Sequence, residues 1–274
     1  MPAIEAGNAT PISAQAAERL AAAVCEAGAL ALSMFQTPIR NWTKGPSSSP
    51  VCEADIAVDK LLRERLTAAD DSIAWLSEES ADDATRLGAR HVWIVDPIDG
   101  TRAYIAGLPD WAVSAALIEG RRPVAACLYA PALDEFFMAR AGAGATLNGT
   151  PIAVTKGADL QNLRIAGPKN LLERLTPLLP PFTTVPRARS LALRLARLAQ
   201  GAYDVAFAGG NSHDWDLAAA DLLVHEAGGA LTPLTGGNVA YNQPVPRHGT
   251  LVAAGRDRHA TLIELIGDGR LALP

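Results

Sequence analysis

The stretch from Trp93 to Thr101 constrains this chain more than any other part of the sequence. An apolar run ends at Asp96, Pro97 turns the chain, and Asp99 follows just before a predicted helix. Two carboxylates at this spacing around a turn can face one pocket, and the carbonyl of Ile98 can face it too. The first N–H groups of the following helix are free to bind a phosphate. Oxygen ligands beside an anion site indicate Mg²⁺ and phosphoryl chemistry.

Composition limits the class of protein and its partners. The chain has 274 residues, of which 49% are hydrophobic, enough for one large domain or two closely packed halves. A formal net charge of −5 argues against binding a nucleic-acid polymer. The alanine-rich segment 16–32 carries three charged side chains, so we predict an amphipathic helix and no transmembrane segment. The first residues show no signal-peptide pattern, and the expected location is cytoplasmic.

The spacing of apolar residues predicts a mixture of helices and strands. Helices are expected at 13–35, capped by Ser13, and at 53–66, from 171, at 187–199 and at 215–226. Strands are expected at 73–77, 91–95, 111–119, 123–129, 135–139, 163–166 and 203–207. In the helix 53–66, the expected buried face contains Ile56, Leu61, Leu62 and Leu66. A boundary near 156–161 separates an N-terminal α+β half, 1–156, from a C-terminal α/β half, 157–274, within one compact unit.

Four segments place acidic side chains next to predicted strand or helix ends. They contain Glu53, Asp55 and Asp59; Glu78 and Glu79; Asp96 and Asp99; and Asp214 and Asp216. Strand ends at a sheet edge are where α/β proteins gather functional groups. Four or five carboxylates that converge repel one another unless cations neutralise them. If these acids meet, the cluster needs metal, although Asp59, Glu79 and Asp214 taken singly fit solvated loop positions equally well.

Three blocks of sequence resemble the signature set of the inositol monophosphatase superfamily. They cover 75–80, 93–101 and 215–220, the last with Glu-Ala-Gly-Gly at 226–229, and the resemblance extends over about 15–255. The resemblance implies an α+β fold, the layered αβαβα sandwich of the inositol monophosphatase and fructose-1,6-bisphosphatase type. It also implies a Mg²⁺-dependent, lithium-sensitive phosphomonoesterase.

The resemblance assigns metal ligands by position. Glu78, Asp96 and the Ile98 carbonyl would hold one Mg²⁺ ion. Asp96, Asp99 and Asp216 would hold a second, and Glu78 would contribute through water to an optional third. One ion lowers the pKa of water to make a nucleophile, while the other stabilises the leaving oxygen. Asp96 is therefore expected to bridge two ions.

The resemblance also assigns the remaining catalytic groups. Thr101 and Asp55 would orient and deprotonate the attacking water, with Glu78 as the third catalytic residue. The backbone N–H groups of Gly100 and Thr101 would hold the phosphate. Hydrolysis of a phosphate monoester requires in-line attack and charge neutralisation, and no Ser or Cys nucleophile is needed. Consistent with this, the chain shows neither a Gly-x-Ser-x-Gly elbow nor a Cys-x5-Arg loop.

Residues that would contact the alcohol of the substrate are less familiar. Lys169, Arg194 and His213 are the candidates, and each is also compatible with an ordinary helix or loop position. Leu76-Ser77, the run 101–104 and the length of 201–216 resemble the bacterial 3′(2′),5′-bisphosphate nucleotidases. The leading expectation is therefore conversion of adenosine 3′,5′-bisphosphate to AMP and phosphate, which would clear a by-product of sulfate assimilation.

Other activities stay open on the same scaffold. The run 190–194 lacks the hydroxyl-rich turn of the nucleotidases, which leaves an inositol-1-phosphate or broad sugar-phosphate phosphatase as the alternative. Fructose 1,6-bisphosphate and histidinol phosphate are further candidate substrates. A non-catalytic binding or regulatory protein would be expected to have lost a metal ligand, yet every expected acid is present. The expected partner is a small nucleotide bisphosphate or sugar phosphate, and the chain is expected to be a monomer or a homodimer.

Overall fold

A computed structural model describes residues 14–44, 49–68, 70 and 72–267. The predicted N-cap Ser13 and the loop residues 45–48 lie outside these ranges. The helices are α1 Ala14–Met34, α2 Glu53–Thr67, α3 Thr101–Ile105, α4 Lys169–Leu175, α5 Leu191–Ala199, α6 Asp214–Glu226 and α7 Arg256–Gly267. Short 3₁₀ helices lie at Ala84–Gly88 and Pro131–Leu133.

Sixteen strands are assigned within the described ranges. The first nine are β1 Asn41–Lys44, β2 Ser49–Cys52, β3 Ala74–Ser77, β4 His91–Asp99, β5 Ala112–Glu119, β6 Arg122–Ala130, β7 Glu135–Arg140, β8 Ala145–Leu147 and β9 Thr150–Pro151. The others are β10 Arg164–Ala166, β11 Thr183–Thr184, β12 Val205–Ala208, β13 Ser212–His213, β14 Gly229–Pro233, β15 Arg247–His248 and β16 Leu251–Gly255.

Two large sheets organise these strands. Strands β3 to β9 form a seven-stranded sheet in chain order, parallel only between β3 and β4. The second sheet has the order β11-β10-β12-β16-β14. Two-stranded ribbons pair β1 with β2 and β13 with β15.

The large sheet is buried on both faces, which explains its continuous apolar strands. In β4, Trp93 and Val95 pack toward α1 and α2, whereas Val92 and Ile94 pack toward α5 and α6. This alternation follows from the period-2 geometry of a strand. A strand buried on both faces loses the apolar-polar alternation of a surface strand.

The layers follow the order helix, sheet, helix, sheet, helix. Helices α5 and α6 lie between the seven-stranded and the five-stranded sheets. Helices α4 and α7 cover the other face of the five-stranded sheet, where Ile165, Phe207 and Leu262 meet in one cluster. The αβαβα sandwich expected from the sequence is confirmed. The predicted division at 156–161 stays a prediction.

Some local predictions need correction. Ile56 is 44% exposed and does not share the buried face of α2, which is formed instead around Val58, Leu62 and Leu66. Helix α5 begins only at Leu191, because Ser190 caps it by accepting a hydrogen bond from the Leu193 N–H at 2.9 Å. Strand β4 continues to Asp99, four residues past its predicted end. Within the described ranges, no helix is both long and apolar enough to cross a membrane.

Candidate active site

An irregularity in β4 directs two carboxylates into the same cavity. Asp96 pairs with Ser114 and Asp99 pairs with Ala112, so β4 spans three residues where β5 spans two. Residues three apart in a regular strand face opposite sides of the sheet. The extra residue, beside Pro97, is a β-bulge that restores the parity and lets both acids face one side.

The cavity gathers acids from three separate parts of the chain. Carboxylate oxygens of Asp96, Asp99 and Asp216 lie within 4.8 Å of one another. Asp216 comes from the first turn of α6, and Glu78 from the segment after β3 lines the same cavity of about 410 Å³. The fold therefore joins four of the predicted metal ligands.

Burial and mutual repulsion raise the pKa values of these acids. Burial raises the pKa of Glu78 to about 7, against the attraction of Lys44 and with a further rise from Asp216. Burial also raises the pKa of Asp99 to about 7, followed by repulsion from Asp216. The pKa of Asp96 is raised well above its usual range by burial and then by Glu78 and Asp99. Like charges at such distances disfavour simultaneous ionisation unless a cation is present.

The donor set fits a hard divalent cation. The Asp96 Oδ2 atom is buried and has no hydrogen-bond partner among the described residues. An unpaired, buried carboxylate oxygen is costly unless it binds a donor or a metal. The cluster offers only oxygen atoms, the ligands that Mg²⁺ prefers. The residues present therefore fit the predicted metal.

Asp99 is held in place by the start of α5. Its Oδ2 atom accepts hydrogen bonds from the Ser190 hydroxyl and the Ala192 N–H, each at 2.6 Å. Both contacts lower the pKa of Asp99 and partly offset the effect of burial. Sequence reasoning did not single out Ser190 as a site residue, although a serine directly before a leucine-rich amphipathic helix is a recognisable N-cap signal.

Thr101 and Asp55 meet beside the cavity, at the positions that the resemblance implies. The Thr101 Oγ1 atom lies 3.2 Å from Asp55 Oδ1 and 3.0 Å from the Ile98 carbonyl oxygen. A hydroxyl has one proton, so it cannot fully satisfy both acceptors at once. The other Asp55 oxygen accepts from the N–H and the thiol of Cys52, at 2.7 and 2.8 Å, and Asp55 is thereby fixed at the start of α2.

Gly100 is required by its backbone conformation and its neighbours. Its φ of +96° lies in the region that favours glycine, and it forms the N-cap of α3. A Cβ atom there would stand 3.2 Å from both the Asp110 carbonyl oxygen and the Ser190 nitrogen. Gly100 thus lets the turn after β4 approach the segment that begins α5.

Basic side chains surround the acidic centre of the cavity. Arg102, Arg187 and Arg189 line it together with the four acids. Lys44, at the end of β1, lies 3.3 Å from a Glu78 carboxylate oxygen and 2.5 Å from one of Glu79. No sequence signal marked Lys44, because its partners are 34 and 35 residues away in the chain.

Comparison with known proteins agrees with this geometry. A model of the inositol monophosphatase family matches residues 13–269. The chain belongs to the inositol monophosphatase family. It is 35% identical to the inositol monophosphatase of Dictyostelium discoideum over 199 residues, which cover 68% of this chain and 73% of that protein. A histidinol-phosphatase of Mycobacterium tuberculosis is 36% identical over 205 residues, covering 70% and 76%.

A solved structure of a similar protein has the same fold. The extragenic suppressor protein suhB from Bartonella henselae superposes with a TM-score of 0.79 at 29% identity, covering 93% of this chain and 99% of that one. Family membership and the acidic cluster identify the chain as a metal-dependent phosphomonoesterase.

The named relatives support the inositol-phosphatase alternative better than the nucleotidase branch that the sequence favoured. Relatives that are more than 30% identical to this chain are named as inositol monophosphatases, SuhB proteins and a histidinol-phosphatase. Two residues behind the nucleotidase prediction, Ser77 and Tyr104, make structural hydrogen bonds. The Ser77 hydroxyl donates to Asp59 of α2, and the Tyr104 hydroxyl donates to the Ala31 carbonyl at 2.7 Å. The link to sulfate assimilation loses its support with that branch.

Two residues that were predicted to contact the substrate do not line the acidic cavity. Arg194 is only 5% exposed, and its guanidinium donates to the carbonyls of Ala188 and Phe207 at 3.0 and 3.1 Å. It holds α5 against β12 and is not available to a ligand. Lys169 is exposed and lines a separate, more apolar cavity beside Leu172 and Phe182. Arg187 lines both cavities.

His213 caps α6 and lies next to the cavity without lining it. Its ring stacks on Trp215 with centroids 4.6 Å apart, and its N–H donates to Asp216 Oδ2 at 2.6 Å. This capping-box contact orients a predicted metal ligand. In the structure, His213 therefore helps to orient Asp216 through its backbone N–H. The predicted contact of His213 with substrate stays a prediction.

Proposed function

We propose that this chain hydrolyses inositol monophosphate with Mg²⁺, using Glu78, Asp96, Asp99 and Asp216 with the Ile98 carbonyl as metal ligands. The observation that carries the proposal is the convergence of Asp96, Asp99 and Asp216 within 4.8 Å. The cavity of about 410 Å³ has the size typical of small-ligand sites. Relatives more than 30% identical carry the name inositol monophosphatase, which supports this alcohol over the others.

Binding of the phosphate follows from the surroundings of the bulge. The first N–H groups of a helix have no intrahelical partner, so those of Gly100 and Thr101 can donate to phosphate oxygens. Arg102, Arg187 and Arg189 add positive charge at the cavity wall. Planar guanidinium groups bind phosphate oxygens through paired donors and also screen the approach of an anion toward the acids.

Thr101 and Asp55 are placed to move a proton. When bound, Mg²⁺ neutralises the phosphate and lowers the pKa of water. The Thr101 hydroxyl has two acceptors in the structure, the Ile98 carbonyl oxygen and Asp55. If the Ile98 carbonyl holds a metal ion, the hydroxyl proton points to Asp55. The Thr101 oxygen can then accept a proton from water as its own proton passes to the Asp55 carboxylate. Asp55 is 1% exposed, so this route is shielded from solvent.

A substrate panel tests the proposal. Phosphate release from inositol 1-phosphate, histidinol phosphate, fructose 1,6-bisphosphate and adenosine 3′,5′-bisphosphate is measured side by side with the full chain and Mg²⁺. We expect the highest kcat/KM for inositol 1-phosphate. A higher kcat/KM for any other member of the panel would contradict the proposed alcohol, and histidinol phosphate is the next candidate because of the relative from Mycobacterium tuberculosis.

A further inference from the structure

A network of polar groups lies outside the residues that line the acidic cavity, and three of its members, Arg86, Asp214 and Asn242, are buried. We call it the Arg86 network, and it consists of Asp82, Arg86, Asp214, Asn242, Gln243 and His248. These residues come from three distant segments: the 3₁₀ helix after β3 with the residues just before it, the first residue of α6, and the segment before and within β15. Within the described ranges, none of the six lines the acidic cavity.

Arg86 is the centre of this network and is fully paired. The side chain is 1% exposed, although it carries a full positive charge. It donates to both Asp82 oxygens at 2.5 and 2.8 Å, to Asn242 Oδ1 at 2.6 Å, and twice to the Gln243 carbonyl at 3.2 and 3.1 Å. These five bonds match the five N–H donors of a guanidinium group. Only an arginine can supply this pattern, because lysine has three donors at a single atom.

Asn242 connects Arg86 to α6. Its Oδ1 atom accepts a hydrogen bond from the Arg86 guanidinium, and its Nδ2 atom donates one to the Arg86 carbonyl at 3.0 Å. Its backbone N–H donates to Asp214 Oδ2 at 2.7 Å. Asn242 has a φ of +55°, a conformation that asparagine adopts more readily than most residues.

Asp214 receives this connection at the first residue of α6. Its side chain is completely buried, and its Oδ1 atom lies 2.6 Å from His248 Nε2. Its own N–H donates to the Pro246 carbonyl at 3.1 Å, while β13 pairs with β15 directly before it. The start of α6 is therefore attached at several points to the segment 242–248.

The network links two segments that carry acids of the site. Asp216 lies two residues after Asp214, and Glu78 lies on the segment that leads from β3 to Arg86. Glu78 and Asp216 repel each other across the cavity. We propose that Arg86, Asn242 and Asp214 are positioning residues that hold the segment of Glu78 and the start of α6 together, so that the metal site is preformed against this repulsion.

This proposal rests on the proposed roles of Glu78 and Asp216 as metal ligands. Residues that orient metal ligands affect metal affinity even though they do not touch the ion. Here the effect is carried by buried hydrogen bonds, in which removal of one partner leaves the other unsatisfied. The consequence is a weaker metal site, in addition to any loss of overall stability.

Direct binding of Mn²⁺ tests the proposal without relying on catalysis. The free Mn²⁺ signal in electron paramagnetic resonance is followed during titration of the wild type, Arg86→Lys and Asn242→Ala. Arg258→Lys is the matched control. Arg258 belongs to α7, is also buried, and donates hydrogen bonds to three backbone carbonyls, those of Thr155, Lys156 and Asp159. Thermal unfolding in EDTA is recorded for all four proteins.

We expect the dissociation constant of Mn²⁺ to rise about tenfold in Arg86→Lys and Asn242→Ala and to stay near the wild-type value in Arg258→Lys. The Mg²⁺ concentration for half-maximal activity should rise in parallel. All three variants should unfold at a lower temperature. If Arg86→Lys does not fold, Asn242→Ala decides the outcome.

Three contrary results are distinguishable. Unchanged Mn²⁺ affinity in both network variants, with a lower unfolding temperature, would show that the network only stabilises the fold and would overturn the proposal. A wild-type chain that fails to bind Mn²⁺ would instead overturn the proposed function, on which the network proposal depends. An equal loss of Mn²⁺ affinity in Arg258→Lys would also overturn the network proposal, because the loss would then follow from general destabilisation.

Discussion

Gly100 shows how strongly one residue can shape this site. It joins the second acid of the bulge to α3, and its missing side chain leaves room for the Asp110 carbonyl and the Ser190 backbone. Ser190 in turn donates to Asp99. The close approach at Gly100 therefore determines where a predicted metal ligand receives its hydrogen bonds.

Replacement of Gly100 tests this dependence. Gly100→Ala should lower the free energy of unfolding by more than about 2 kcal/mol, because backbone strain and a steric contact act together. The matched control is Gly120→Ala, where φ is +62° but no atom lies within 4 Å of the added Cβ. The control should cost only about 1 kcal/mol. Urea unfolding of both variants measures the difference, and equal losses would show that the contact at Gly100 is unimportant.

Single acids were easier to predict from sequence than single cations. Asp96, Asp99 and Asp216 lie beside strand or helix ends with distinctive neighbours, and the structure brings them together. Arg194 and Lys169 lie in helical segments, where the sequence does not tell a buried or remote cation from one that faces a ligand. Arg194 in fact satisfies two backbone carbonyls in the core.

At the scale of elements, the start of α5 has two roles in the site. Ser190 caps the helix through the Leu193 N–H, and the same hydroxyl donates to Asp99. The sequence predicted this helix from 187, before the cap, because periodicity locates the body of a helix better than its first residue. The second partner of the Ser190 hydroxyl, Asp99, lies 91 residues away in the chain.

Ser190→Ala should affect stability and catalysis together. Loss of an N-cap costs about 1 kcal/mol, and Asp99 loses one of its two donors. We expect both a lower midpoint in urea and a lower kcat. Ser190→Thr retains the hydroxyl and should recover most of both quantities. A normal kcat in Ser190→Ala would show that the contact with Asp99 does not matter for the reaction.

A second prediction at this scale concerns α7 and acid stability. His259 of α7 is buried, its Nε2 atom lies 2.9 Å from Thr232 Oγ1 of β14, and burial lowers its pKa below the usual 6.5. The folded state resists protonation of His259. The contribution of the neutral ring to the free energy of unfolding is therefore present above pH 6.5 and is lost as pH falls through the lowered pKa. His259→Gln should therefore lose less stability between neutral and mildly acidic pH than the wild type, as measured by urea unfolding. An identical pH dependence in the two proteins would contradict this.

On the scale of the whole molecule, the layered architecture brings distant acids into one place. Glu78, Asp96 and Asp99 lie near the C-terminal ends of β3 and β4 in the large sheet. Asp216 comes from a helix layer that the chain reaches more than a hundred residues later. The layer order followed from the family resemblance. The Arg86 network had no sequence signal, because Arg86 and its bonded partner Gln243 are 157 residues apart and each member is an ordinary polar residue in isolation.

Mg²⁺ should stabilise the whole chain because it relieves the repulsion between the acids. A ligand that binds only the folded state adds about 2.7 kcal/mol at a hundredfold excess over its dissociation constant. Thermal unfolding should therefore shift upward with Mg²⁺ in the wild type. In EDTA, Asp96→Asn should be at least as stable as the wild type, since one repelling charge is removed. Lower stability of Asp96→Asn in EDTA would show that repulsion is not the dominant effect.

The most direct test of the central claim is phosphate release from inositol 1-phosphate by the wild type and Asp96→Asn, each with Mg²⁺ and with EDTA. Glu64→Gln is the control, because Glu64 is an exposed acid on α2. We predict Mg²⁺-dependent release by the wild type and the control, and a loss of at least about a hundredfold in kcat for Asp96→Asn. Release by the wild type that persists in EDTA, or release by Asp96→Asn at the wild-type rate, would contradict the account.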